Sequence, residues 1–69
     1  MRMSIRNQLT GVVSSITKGE AMAVVKIELA GGQAITSSIT RDAVEDLDLS
    51  EGSSVTVLIK STEVALAVD

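Results

Sequence analysis

Two short stretches carry most of this sequence's capacity for chemistry. Ser4, Arg6 and Asn7 lie close together near the start of the chain, and Lys60 adjoins Ser61 near its end. Arginine and lysine bring positive charge and only hydrogen-bond donors, while serine hydroxyls and an asparagine amide add further donors. Such a set suits an oxyanion, whose oxygens accept charge-assisted hydrogen bonds. Two cations held together with no carboxylate in either motif repel each other, and an incoming dianion removes that cost. A small tetrahedral dianion meets the demand. Taken singly, the same residues also fit a blander account, with Arg6 and Lys60 as solvated surface charges and Ser4 and Ser61 as turn residues.

Other chemistry is limited by composition. The chain has 69 residues, with no histidine, cysteine, proline or aromatic residue. Nucleophilic catalysis with a histidine base is excluded, and the nine scattered carboxylates show no pairing that marks an acid/base couple or a calcium loop. We therefore expect no enzyme. Structural zinc is disfavoured because its usual ligands are absent. A net charge of −3 and the lack of any ring on which to stack bases argue against nucleic acid. No stretch approaches the roughly 20 apolar residues of a membrane helix, and residues 1–5 hold no signal-peptide core, so we expect a soluble, cytoplasmic chain. Arg2, Lys18, Lys26 and Arg41 alternate with Glu20, Glu28 and Asp42 as on a mixed-charge surface.

The elements that position the two motifs follow from hydropathy. Leu9, Val12, Val13 and Ile16 among polar residues predict a twisted or bulged first strand over 8–16, with Gly11 at the bend. A polar turn leads into the second strand, 22–29, where Val25, Ile27 and Leu29 share a face. Gly31-Gly32 can supply positive φ for a hairpin to an antiparallel third strand over 34–39. Thr40 suits an N-cap, and Val44 with Leu47 forms an i, i+3 apolar pair on a short helix over 40–47. The free N–H groups at that helix start, with the Thr40 hydroxyl, are a second possible anion contact, although Asp42 opposes an anion there. Alternation at Val55, Val57 and Ile59 marks a fourth strand over 55–60, and Val64, Leu66 and Val68 alternating with alanine mark a fifth over 64–68.

Three strands, a short helix and two more strands give an all-β class: a single domain over 1–69, a five-stranded OB-like Greek-key barrel with one short helix between strands three and four. In that topology strands one and four are antiparallel neighbours, so Arg6 and Lys60 can converge. A domain of this size buries only about 60% of the surface its unfolded chain exposes. With disulfides impossible and metal disfavoured, self-association is the remaining source of stability, and the small alanine faces would let another surface approach.

The runs Ser4-Ile5-Arg6-Asn7-Gln8-Leu9 with Gly11-Val12-Val13, Thr36-Ser37-Ser38-Ile39-Thr40, and Ile59-Lys60-Ser61-Thr62-Glu63-Val64 resemble a molbindin or Mop domain, the unit also called TOBE-like. The similarity runs along nearly the whole chain. It implies a homohexamer built as a trimer of dimers that holds molybdate or tungstate at subunit interfaces, for intracellular storage or buffering, with no organic cofactor. Matched by motif, Ser4, Arg6, Asn7, Lys60 and Ser61 become the expected ligand residues. Thr40 is a weaker candidate, because capping explains it equally well. The competing account is an OB-like oligomerisation module whose charges only orient subunits and which has no physiological oxyanion ligand.

Overall fold

The inward residues Val13, Ala23, Val25 and Ile27 are nearly inaccessible to solvent, and they mark the face on which the sheet curls. The computed structural model describes residues 2–69. Its elements are β1 (Asn7–Lys18), β2 (Met22–Leu29), β3 (Ala34–Thr40), α1 (Arg41–Asp46), β4 (Ser54–Ile59) and a 3₁₀ turn (Ser61–Glu63). The strands form one antiparallel sheet in the order β3-β2-β1-β4.

The long β1 pairs with β4 from Asn7 to Val12 and with β2 from Gly11 to Lys18. An irregularity between Val13 and Ser15 leaves Ser14 as the extra residue, and its hydroxyl donates to the Lys26 carbonyl at 3.1 Å. The extra residue flips the alternation, so that Val13 before it and Ile16 after it both face the core. The bend expected at Gly11 therefore lies at Ser14. Gly11 has another function: a Cβ there would stand 2.5 Å from Ile27 Cγ2 and 2.8 Å from the Glu28 carbonyl. It permits the close approach of β1 to β2.

The β2–β3 hairpin closes with Gly32 at φ 88°, its N–H donating to the Leu29 carbonyl at 2.9 Å. α1 then covers one opening of the curled sheet with Val44, which is 1% exposed. The Thr40 hydroxyl accepts from the Ala43 N–H at 3.1 Å, as an N-cap should. At the other end the Leu49 N–H bonds the Val44 carbonyl and the Asp48 N–H bonds the Glu45 carbonyl, both at 3.0 Å, with Asp48 at φ 54°. This double closure reverses the chain and turns Leu49 inward. Leu47, expected to form an i, i+3 apolar pair with Val44, is 67% exposed, because it sits at the C-cap where the helical face has ended.

The fifth expected strand does not form within the chain, and the described residues contain four. After the 3₁₀ turn, residues 64–69 belong to no regular element and are exposed, with Leu66 at 93% and Val68 at 97%. No strand edge of the chain pairs with them: β3 and β4 remain the two free edges of the sheet. The result is a curled all-β sheet, open between those edges.

Candidate oxyanion site

The register of β1 on β4 decides how the two motifs meet. Asn7 pairs with Ile59 as the last rung of the ladder, so Arg6 and Lys60 are the residues that directly flank its end. The Asn7 side chain reinforces this end by donating from Nδ2 to the Ile59 carbonyl at 3.0 Å. The approach to β1 is held by Gln8, whose Nε2 donates to the Ile5 carbonyl at 3.0 Å. On the other side, Lys60 caps the 3₁₀ turn, in which the Glu63 N–H donates to the Lys60 carbonyl at 2.9 Å. The turn places Ser61 directly after the lysine and carries the chain off the sheet.

Four of the expected residues, Arg6, Asn7, Lys60 and Ser61, thus lie at one end of the β1–β4 ladder, with Ser4 in the segment leading to it. Asn7 is half-buried and the others are exposed. Among the described residues the one ion pair is Arg41 with Glu45, at 3.8 Å, so neither Arg6 nor Lys60 is neutralised by a carboxylate. Arg41 also donates to the Gly19 carbonyl at 3.2 Å, which accounts for that cation structurally. The exposed pair of like charges faces water, where screening weakens any single contact.

Thr40 is not brought to this place. It pairs with Met22 at the start of β2, beside the Lys18 end of β1 and away from Asn7. Its hydroxyl is occupied by the helix cap. Two residues that bear on the site were absent from the expected set. Gln8 orders the entering segment, and its place in the quoted motif was the available signal. Glu63 brings a carboxylate into the same turn as Lys60 and Ser61, where it opposes an anion unless it points away. No sequence spacing reveals that, because the fold of the turn decides it.

A further concavity lies elsewhere. It is an open groove of about 900 Å³ lined by residues that include Thr10, Gly11, Ser14, Glu28, Ser54 and Thr56, with hydroxyls and a carboxylate but no cation. That lining does not suit an anion. Among the described residues there is no cluster of acidic side chains able to hold a metal ion, and no helix long and apolar enough to cross a membrane.

Known proteins share this arrangement over nearly the full chain. Molybdenum-pterin-binding protein 3 of Clostridium pasteurianum is 47% identical over 66 residues, covering 96% of this chain and 97% of that protein. The solved molybdate-binding protein of Sporomusa ovata superposes with a TM-score of 0.92 at 40% identity, covering 97% of this chain and 98% of that one. The molybdate-bound form of the cytoplasmic molybdate-binding protein ModG gives a TM-score of 0.86 at 44% identity over 88% of this chain, which spans 43% of the ModG chain. These are binding proteins by name, and their fold is the one described above. Residues 3–66 match the TOBE domain, and the chain belongs to that family, among its Mop-type members.

Proposed function

We propose that the chain binds molybdate reversibly, and tungstate by the same chemistry, at sites completed between subunits of a homo-oligomer. The observation that supports this reading is the β1–β4 register, whose terminal Asn7–Ile59 pair is flanked in sequence by Arg6 and Lys60, neither of them in an ion pair. Ser4, Asn7 and Ser61 supply neutral donors around the two charges. Thr40 can contribute only from another subunit and at the expense of its cap. The molybdate-binding relatives support the ligand assignment.

Exposure of the donors in the single chain explains why assembly belongs to the reading. In water a unit charge pair at 4 Å is worth only about 1 kcal/mol, and at a half-covered surface about 4. A second subunit that excludes water therefore makes the same residues far better ligands. A homohexamer, arranged as a trimer of dimers, is the assembly we propose. The whole of 1–69 acts as one unit within it, catalyses nothing and stores or buffers the anion in the cytoplasm, the compartment named for ModG.

Relatives whose names include pterin suggest a second ligand, a molybdenum-pterin complex. The absence of any aromatic residue disfavours it, since a flat pterin ring would find no side chain on which to stack. Calorimetric titration tests both, with molybdate, tungstate, sulfate, phosphate and a free pterin as titrants. We expect tight binding of the first two and weak binding of the rest. Heat from the pterin alone would favour the complex. No binding of any anion, checked by equilibrium dialysis, would leave an assembly module without a physiological oxyanion ligand.

A further inference from the structure

Two neighbouring side-chain amides grip the backbone at matching points. Asn7 Nδ2 donates to the Ile59 carbonyl and Gln8 Nε2 donates to the Ile5 carbonyl, each at 3.0 Å. Ile59 immediately precedes Lys60, and Ile5 immediately precedes Arg6. Each accepting carbonyl therefore belongs to the peptide unit whose nitrogen is the cation's own, and a peptide unit is planar and rigid. Fixing its oxygen fixes the direction from which the chain enters the charged residue. From adjacent positions of one strand, the two amides thus act on the two motifs, one each.

The chemistry of the pair suits this use. A carbonyl only accepts, so each amide must present its nitrogen, and a neutral donor adds no charge to compete for an anion. Successive strand residues project to opposite faces. Asn7, half-buried, reaches across to β4, while Gln8, exposed, turns back on the entering segment. Beyond Lys60 the restraint continues, because its own carbonyl accepts from the Glu63 N–H at 2.9 Å and its backbone is extended, at φ −64° and ψ 142°. Lys60 is held through both of its peptide units. Arg6 has a similar setting: Gln8 holds the peptide before it, and the next residue, Asn7, opens the ladder. Two like charges near each other need such restraint, since free backbones would swing to separate them.

We propose that Asn7 and Gln8 are positioning residues, which clamp the peptides ahead of Lys60 and Arg6 and so hold the two cations ready before an oxyanion arrives. Gln8 is outside the donor set and acts through Arg6 and the segment that carries Ser4. Asn7 acts through Lys60 and keeps a second N–H, so it remains available as a donor. Restraint of this kind raises affinity by removing part of the ordering cost at binding. The gain is limited to about tenfold for each amide, the equivalent of one net intramolecular hydrogen bond. The inference rests on the anion reading for that gain, whereas the restraint itself is a property of the anion-free chain.

The test uses Gln8→Met and Asn7→Leu, which keep the approximate size of each side chain and remove its donor. Gln8 is exposed, so its variant keeps the fold even if the Asn7 variant does not. In the anion-free protein, backbone amide NMR relaxation should show lower order at Ile5 and Arg6 in Gln8→Met, and at Lys60 and Ser61 in Asn7→Leu, with β2 and β3 unchanged. Calorimetric titration with molybdate should show about a two- to tenfold loss of affinity for each variant. Its salt dependence should stay that of the wild type, because no charge has been removed, whereas Arg6→Gln or Lys60→Gln should flatten it. Crossed double variants then separate positioning from general stabilisation. Gln8→Met should lose most of its effect beside Arg6→Gln and keep it beside Lys60→Gln, and Asn7→Leu should do the converse. Unchanged order at those positions, unchanged affinity in both variants, or losses that add fully in every pairing would overturn the proposal. A wild type that binds no molybdate, with the relaxation changes present, would overturn the function proposed above and leave the clamp standing, so the two failures are distinguishable.

Discussion

Neutralising Arg6 or Lys60 should have two effects of opposite sign. The two cations flank the terminal Asn7–Ile59 pair of the β1–β4 ladder on adjacent strands, and no carboxylate pairs with either. Without ligand, directly opposed like charges destabilise a sheet by roughly 0.2–1 kcal/mol. Arg6→Gln or Lys60→Gln should therefore leave the anion-free protein slightly more stable. With ligand the balance reverses. A dianion doubles the unit-charge figure, so one cation at about 4 Å contributes on the order of 2 kcal/mol in open water and about 8 before desolvation costs at a half-covered surface. After those costs, truncating a covered charge typically loses about 2–5 kcal/mol. Because 1.4 kcal/mol is tenfold, a site left open in the single chain predicts a loss of no more than about 30-fold, and one covered by a second subunit predicts about 30-fold up to a few thousand-fold.

The assay is calorimetric titration with molybdate at low and at physiological ionic strength, alongside urea denaturation of the anion-free proteins at one fixed concentration. An open site should also lose affinity steeply with salt, and a covered one much less. The double variant should lose less than the sum of the singles, because removing the first charge has already relieved the repulsion. Unchanged affinity in both single variants would refute the assignment of Arg6 and Lys60. An equal loss for weakly bound sulfate would reduce it to general charge attraction.

Three further substitutions examine the scaffold. Gly11→Ala places a methyl 2.5 Å from Ile27 Cγ2 and 2.8 Å from the Glu28 carbonyl, so it should cost roughly 1–3 kcal/mol by forcing β1 away from β2, read from the urea midpoint. Val44→Ala empties the plug that α1 sets into the curled sheet and should cost about 2–3 kcal/mol with an unchanged m-value; a loss below about 0.5 would mean that the helix contributes little to the core. Thr40→Ala should cost about 1 kcal/mol through the cap while Thr40→Ser retains most of it, and molybdate affinity unaltered in both would confine Thr40 to capping.

Local pattern made most of the scaffold legible. β2 has the expected bounds, and its inward Val25 and Ile27 follow a period of two that needs no information from elsewhere in the chain. Thr40 caps as its residue type prescribes. What depended on long-range geometry was less readable. The bend fell at Ser14 rather than Gly11, because a bulge is set by which neighbouring strand loses register, whereas the glycine was needed for close approach. Leu47 looked like core because its spacing from Val44 is helical, but the helix stopped one residue too soon. At the site, the antiparallel pairing of β1 with β4, which brings the two motifs to one end of the sheet, followed from topology, while the presence of Glu63 in the same turn as Lys60 depended on local backbone.

The fifth strand is the expectation that failed outright, since residues 64–68 alternate as a strand would but pair with no edge of the sheet. Alternation specifies that residues 64–68 suit a sheet; it contains nothing about which edge would receive them. A chain with five well-buried apolar residues, Val13, Ala23, Val25, Ile27 and Val44, has little interior of its own. It still carries Leu66 and Val68 almost bare and a groove lined with aliphatic side chains. Intrachain packing leaves both exposed, which is the surface the proposed homo-oligomer has available to bury. Lys60 and Ser61 are exposed in the single chain, and exclusion of water from them in the proposed assembly would strengthen every charge-assisted hydrogen bond they can make. Linkage then requires reciprocity: if assembly improves the anion site, the bound anion must stabilise assembly by the same free energy. Small size, an open sheet and two cations outside any ion pair are the three features that the proposed assembly accounts for together.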